Sequence, residues 1–146
     1  MTKAKAPTFA YEFTLVGLGF RMKREFRKVL AKSLTRPGKS GQVRVHLQRE
    51  PMNKYDSDAV RVDADETKLG LQEGQHLGYL RAEAAALVAP LMDNREDGGF
   101  VFKSAKLIEL DPDDDWKTGT LAVEFYDYRS VSPTLGSTQL KSPAKE

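Results

Sequence analysis

Cysteine is absent from the chain. That excludes disulfides, thiolate-held zinc and thiol nucleophiles. Histidine is nearly absent, and His46 and His76 do not stand at a metal-ligand spacing. No serine occupies a Gly-x-Ser-x-Gly elbow, and no Gly-rich turn ends in Lys-Ser/Thr. Asp63-Ala64-Asp65-Glu66 and Asp113-Asp114-Asp115 lack the spacing of a calcium loop and read as solvated turns. No apolar run approaches the ~20 residues of a membrane helix, and Met1–Lys5 carries no secretory apolar core. The expectation is a cytoplasmic, non-catalytic protein without cofactor, metal or membrane contact.

Charge, by contrast, is abundant and uneven. The net charge of +2 conceals ten Lys or Arg against one acid from Arg21 to Arg49. From Glu50 onward there are eleven against nineteen acids. A basic stretch on an otherwise acidic chain suits a phosphate-bearing partner. The plainer explanation is a solvated helix face.

Residues 1–8 are expected to form a loose tail, 9–129 one domain and 130–146 a second loose tail rich in Ser, Pro and Lys. Phe9, Tyr11, Phe13 and Leu15 alternate with polar or small residues and predict a strand running to Phe20, with Gly17 and Gly19 marking a bulge. Met22, Phe26, Val29 and Leu30 share one face of a short helix, with Lys23, Arg24, Arg27 and Lys28 opposite. Pro37-Gly38 and Gly41 turn the chain. Strands are predicted over Gln42–Gln48, Ala59–Val62, His76–Leu80, Phe100–Leu110 and Thr120–Tyr128, with a turn at Asp97-Gly98-Gly99. An Ala-rich helix spans Arg81–Asp93, kinked or ended by Pro90 near Ala89. The fold class is therefore mainly β with two short helices, a small six-stranded antiparallel barrel in meander order.

The most specified stretch is Arg49-Glu-Pro-Met-Asn-Lys-Tyr-Asp-Ser-Asp-Ala-Val-Arg-Val62. Pro51 ends the preceding strand, while Asn53, Asp56, Ser57 and Asp58 can each cap nearby backbone. Tyr55 and Asp56 stand at the tip. An aromatic ring beside a carboxylate on a stiff turn is a plausible recognition device. A carboxylate repels phosphate, so it favours a strand terminus whose free hydroxyl donates to it.

Arg49-Glu50-Pro51, Asn53, Tyr55-Asp56 and Ala59-Val60-Arg61-Val62 resemble the core signature of the HIRAN domain. Val16-Gly17-Leu18-Gly19-Phe20-Arg21 before it and Leu77-Gly78-Tyr79-Leu80 after it fit the same family, over roughly residues 13 to 110. The resemblance implies a modified OB-like barrel. It also implies a module that captures the 3′-hydroxyl end of single-stranded DNA, as in fork-remodelling DNA translocases. By motif, Tyr55 and Asp56 match the pair on the terminal nucleotide and Phe20 a stacking position. Tyr79 falls where the eukaryotic pocket has histidine, and Gly19 where the translocase form has arginine, with Arg21 two positions on. Arg81 lies beside a basic position here occupied by Ala82. With Arg24 and Lys28 of the basic helix as phosphate contacts, these make the expected DNA-binding set. The partners expected are single-stranded DNA ends and a helicase or nuclease. The rival expectation is a protein-interaction adaptor that keeps the fold and uses the acidic second half.

Overall fold

The computed structural model describes residues 7–36, 42–93 and 100–127. The expected turns at Pro37–Gly41 and Asp97–Gly99, and most of the two expected tails, lie outside those residues. Six antiparallel strands form a closed barrel: β1 (Thr8–Val16), β2 (Val43–Arg49), β3 (Val60–Ala64), β4 (His76–Leu80), β5 (Phe100–Leu110) and β6 (Gly119–Asp127). The ring order is β1-β4-β3-β2-β5-β6. It is not the simple meander that strand spacing suggested. The first strand closes the ring between the fourth and the last, a pairing that alternation within a strand cannot encode.

Alternation did locate the inward faces. Val43, Val45 and Leu47 are buried while Arg44, His46 and Gln48 face out. Leu121, Val123 and Phe125 do the same on β6. With Leu15, Val60, Val62, Leu77 and Leu107 they form the core.

Three short helices, rather than two, decorate the barrel: α1 (Leu18–Arg21), α2 (Arg24–Leu34) and α3 (Ala82–Met92). β1 stops at Val16 because Gly17 turns the chain at a φ of +97° and Leu18 buries into the core. The predicted bulge is thus a single helical turn. α2 has no side-chain cap at Lys23. Burial of Leu30 and Leu34 holds it, each about 1.5–3 kcal/mol, against a few tenths for any surface charge pair. Its inward face departs from expectation. Val29 is exposed and Arg27 is buried.

α3 runs two residues past Pro90. Proline there removes one ladder bond in the last turn, while Ala84, Ala85, Val88 and Ala89 pack into the core. No described helix is long and apolar enough to cross a membrane.

The ring is uneven. β1 pairs with β6 from Thr8 to Leu15 but with β4 only at Leu15 and Val16. At that junction Gly78 sits against the Val16 carbonyl and Gly17 against the Gly78 Cα. The two backbones meet with no side chain between them, which fixes α1 beside β4.

Candidate nucleic-acid interface

The Arg49–Val62 connection is a dense lattice of backbone bonds. The Glu50 N–H donates to the Ala59 carbonyl (3.1 Å) and the Asn53 N–H to the Glu50 carbonyl (3.0 Å). Asn53 Oδ1 accepts from the N–H groups of Tyr55 and Asp56, at 2.9 and 3.1 Å. Asp56 Oδ1 accepts from the Asp58 N–H at 2.8 Å. Arg49 clamps the base, donating to the Ala59 carbonyl at 2.9 Å and twice to Asp93, at 3.0 and 3.2 Å. This capping is what the Asn and Asp residues predicted.

The lattice pushes two side chains outward. Tyr55 is 86% exposed and Met52 91% exposed. The Lys54 ammonium sits 5.3 Å from the Tyr55 ring centre. Asp56 is half-buried, and its second oxygen accepts no bond from the described residues.

The turn is tied to β4 through Glu50. Its Oε1 accepts from the Tyr79 hydroxyl (3.0 Å) and from Asn53 Nδ2 (3.1 Å). Tyr79 is therefore neither a core residue nor a free ring. Its hydroxyl is anchored, and burial together with the Glu50 charge pushes its pKa up. Across the strands Tyr79 pairs with Arg61 and Asp63 with His76, so the outer face of β3 and β4 carries a polar row. Arg61 Nε donates to Asp63 Oδ1 at 2.8 Å, which holds the guanidinium charged. Asp63 is a buried strand residue, not the solvated turn residue expected.

On the other flank α1 packs against β4 and carries Phe20 and Arg21. Phe20 is 91% exposed, so it is no barrel residue. Arg21 is close enough to act electrostatically on both His76 and Tyr79. A shallow cavity of about 250 Å³ beside α1 is lined by Gly17, Gly19, Phe20, Lys117 and Thr118. The Lys117 chain lies where a Cβ on Gly19 would project. Sequence reasoning missed Lys117, because only the β5–β6 hairpin brings it to α1. It also passed over Met52 and Arg61, which stood inside the motif already singled out.

The remaining expected contacts fall differently. Arg81 caps the start of α3, its N–H donating to the Thr14 carbonyl at 2.9 Å. Arg24 donates to Asp115 at 2.7 Å and lies 5.3 Å from the Trp116 ring centre. Lys28 is exposed, and no described contact joins it to the polar row. Arg27 turns inward altogether. Arg21 thus comes near Tyr79, and Phe20 stands beside Arg21 on α1. The turn bearing Tyr55 and Asp56 is tied to Tyr79 through Glu50 and Asn53, while Arg24 and Lys28 lie on α2.

His76 makes the row sensitive to acid. Its Nδ1 lies 3.3 Å from Asp63 Oδ1 and 3.4 Å from the Val62 carbonyl. Its Nε2 is shielded without a described partner. Burial first, then Arg21 and Arg61, lower its pKa below 6.5. The unfolded chain therefore takes up this proton more readily. The stability His76 contributes is complete above about pH 6.5 and falls as pH drops through the folded-state pKa. Replacing His76 with Gln should shrink the loss of Tm between pH 7.5 and 5.5. An undiminished loss would place the acid sensitivity elsewhere.

Comparison with known proteins places this geometry in context. The sequence model of the HIRAN domain matches residues 9–117. A helicase-like transcription factor from Oryctolagus cuniculus is 43% identical over 51 residues, which is 35% of this chain and 4% of that protein. The crystal structure of the HIRAN domain of human HLTF aligns over 88% of this chain and 87% of its own, at a TM-score of 0.52 and 21% identity. The NMR structure of the HLTF HIRAN domain in its DNA-bound conformation aligns over 90% of each, at 0.50 and 21%. At that identity the likeness is one of fold.

Proposed function

The chain belongs to the HIRAN domain family, and on that premise we propose that it is a non-catalytic module that binds the 3′-hydroxyl end of single-stranded DNA. One observation carries the reading. Phe20 on α1 and Tyr55 on the β2–β3 turn are both almost wholly exposed; α1 packs on β4 and the turn is tied to it through Glu50, Arg21 and Arg61 are near His76 of that strand, and Asp56 beside Tyr55 has an uncommitted oxygen.

The chemistry follows from the parts. Exposed rings offer faces on which unpaired bases stack, for about 1–3 kcal/mol per base. Arg21, Lys54, Arg61 and Lys117 supply positive charge for phosphates. Asp56 would repel a phosphate, so a continuous strand is a poor ligand at that point. A terminal sugar instead presents a hydroxyl donor to the free Asp56 oxygen. The rabbit relative is a helicase-like protein and one HLTF domain structure is described as DNA-bound. Both accord with DNA as the ligand, and the proposal extends to a role in repair or replication-fork processing beside a helicase or nuclease partner.

Fluorescence anisotropy with labelled oligonucleotides that differ only at the 3′ terminus tests this. A 3′-hydroxyl strand should bind more tightly than its 3′-phosphate copy or a circular strand, and binding should weaken steeply with salt. Equal affinity for the circle would remove end recognition. Salt-independent or absent binding would leave the adaptor reading. Tyr55→Ala should weaken end binding by about 1–3 kcal/mol, the worth of one stacked base; unaltered affinity would discard the stacking role. Asp56→Asn should erase the preference for hydroxyl over phosphate termini. A preference that survives would take Asp56 out of the contact.

A further inference from the structure

The closed ring is thinnest where β1 meets β4, and the rest of that seam has the features of a peptide-binding edge. β1 pairs with β4 only at Leu15 and Val16, and of these only Leu15 also pairs with β6. Beyond them β4 ends at Leu80 and the chain turns into α3. The last bond between the two runs from the Arg81 N–H to the Thr14 carbonyl, at 2.9 Å. In an antiparallel ladder successive residues point their N–H and C=O to opposite sides. The Thr14 carbonyl faces the seam, so the backbone groups of Glu12 and Ala10 face it too. The other parity agrees, since the Pro7 carbonyl accepts from the Asp127 N–H on β6. Nothing among the described residues pairs with the seam-facing groups of Ala10 and Glu12.

Beside this bare edge lies an apolar groove of about 650 Å³, floored by Phe9, Tyr11 and Phe13 on β1 and walled by Leu87 and Leu91 on α3. Tyr11 is 57% and Leu87 65% exposed. The groove is the barrel interior continuing outward where β4 has departed. α3 is apolar on nearly all sides, a composition that normally demands burial. An exposed apolar patch of this kind marks an interaction site. Glu12, Phe13 and Leu87 also line a smaller cavity that adds Arg81 and Glu83, so the charged residues at that end, Glu12, Glu83 and Arg81, sum to one net negative charge.

We propose that β1 captures an extended segment of another protein by strand addition, with Ala10 and Glu12 supplying the backbone bonds. The guest segment occupies the place β4 vacates. Its alternate side chains rest between Tyr11, Phe13 and Leu87, and a basic residue meets Glu12 and Glu83. Main-chain bonds supply the affinity and the groove the selectivity, as in other strand additions. A helical guest would fill the groove but leave the Ala10 and Glu12 groups unsatisfied. This surface does not include Phe20, Tyr55 or Asp56, so it stands or falls apart from DNA binding.

The test is a displayed library of random twelve-residue peptides, panned against the full chain. The enriched peptides should alternate apolar with polar residues and carry Lys or Arg. A synthetic copy of the commonest should lose at least tenfold in affinity when one central residue is made proline. Ala10→Pro, which removes a seam-facing N–H without touching the β6 ladder, should cost the same. Leu87→Glu, at an exposed position, should act likewise with Tm unchanged. In NMR spectra the amides of Ala10 and Glu12 should shift and gain exchange protection on peptide binding. No enrichment, helix-patterned peptides, or indifference to both proline changes would overturn the proposal. So would self-association lost in Ala10→Pro, which would make a second copy the guest. A tenfold gain on deleting residues 128–146 would likewise overturn it, because the chain's own end would then fill the groove.

Discussion

Gly78→Ala is expected to cripple the fold. A Cβ at this buried position would drive into the Val16 carbonyl oxygen and press on the Leu15 side chain, 3.2 Å away. The obstacle is backbone, so no rotamer change relieves it. The φ of +155° adds to the difficulty for any side chain. Overpacking and backbone strain together should cost on the order of 3–5 kcal/mol. For a domain of this size that lowers Tm by roughly 10–15 °C. The damage is local in origin. Gly78 lies where β4 meets β1, and α1 departs from that same corner with Phe20 and Arg21. Any fraction that folds should therefore bind DNA ends less well, although Gly78 touches no ligand. Thermal unfolding of Gly78→Ala checks the first claim. A loss below about 1 kcal/mol would show that β1 can slide off β4 without penalty.

Arg27→Met should be the second large loss, about 2–4 kcal/mol. The Arg27 side chain is 5% exposed. Its Nη1 donates to the Met22 carbonyl at 2.7 Å, and its Nε and Nη2 reach the Asp115 carbonyl at 3.3 and 3.2 Å. Methionine keeps the volume but leaves those carbonyls short of donors, and each such shortfall costs about 1–3 kcal/mol. The ion pair to Asp115 Oδ2 at 3.5 Å adds little, because that carboxylate is 38% exposed. Lysine should not rescue the variant, since a single ammonium cannot serve two diverging acceptors as the guanidinium fork does. Arg24→Met is the control: its head is solvated, so a cost below about 1 kcal/mol is expected. Equal losses from the two variants, measured by chemical denaturation, would contradict the buried role of Arg27. The Met22 carbonyl follows α1, so Arg27 also braces the turn that presents Phe20. A weaker DNA affinity in Arg27→Met would thus report bracing, not phosphate contact.

Arg27 shows where reading the residues alone stops. On a helical wheel it belongs with Arg24 and Lys28, and nothing in its identity says that Asp115 comes to meet it. Val29 is its counterpart, an apolar residue at core spacing that the barrel leaves outside. Such exchanges are set by what packs against the helix. The strands were legible because alternation depends only on having one wet face. Their ring order was not, since pairing β1 with β6 joins segments far apart in the chain. At the candidate site the turn was legible in detail: Asn53 and Asp56 cap where their side-chain chemistry says they should. The exposure of Tyr55 followed from its place at the tip. That of Phe20 did not, because it depends on Gly17 reversing the backbone and on Leu18 taking the core position. Lys117 gave no signal at all. Its place beside Gly19 and Phe20 exists only once the β5–β6 hairpin folds toward α1.

The closure of the ring by its first strand has a kinetic consequence. Thr8 lies opposite Tyr126 in the register, and Leu15 opposite Gly119. A nascent chain therefore cannot shut its barrel until synthesis has passed the sixth strand. Until then Phe9, Tyr11 and Phe13 wait with one whole flank unprotected. Refolding governed by such distant pairings should take milliseconds to seconds rather than microseconds, and a ribosome-stalled chain ending before Gly119 should be a ready client for chaperones.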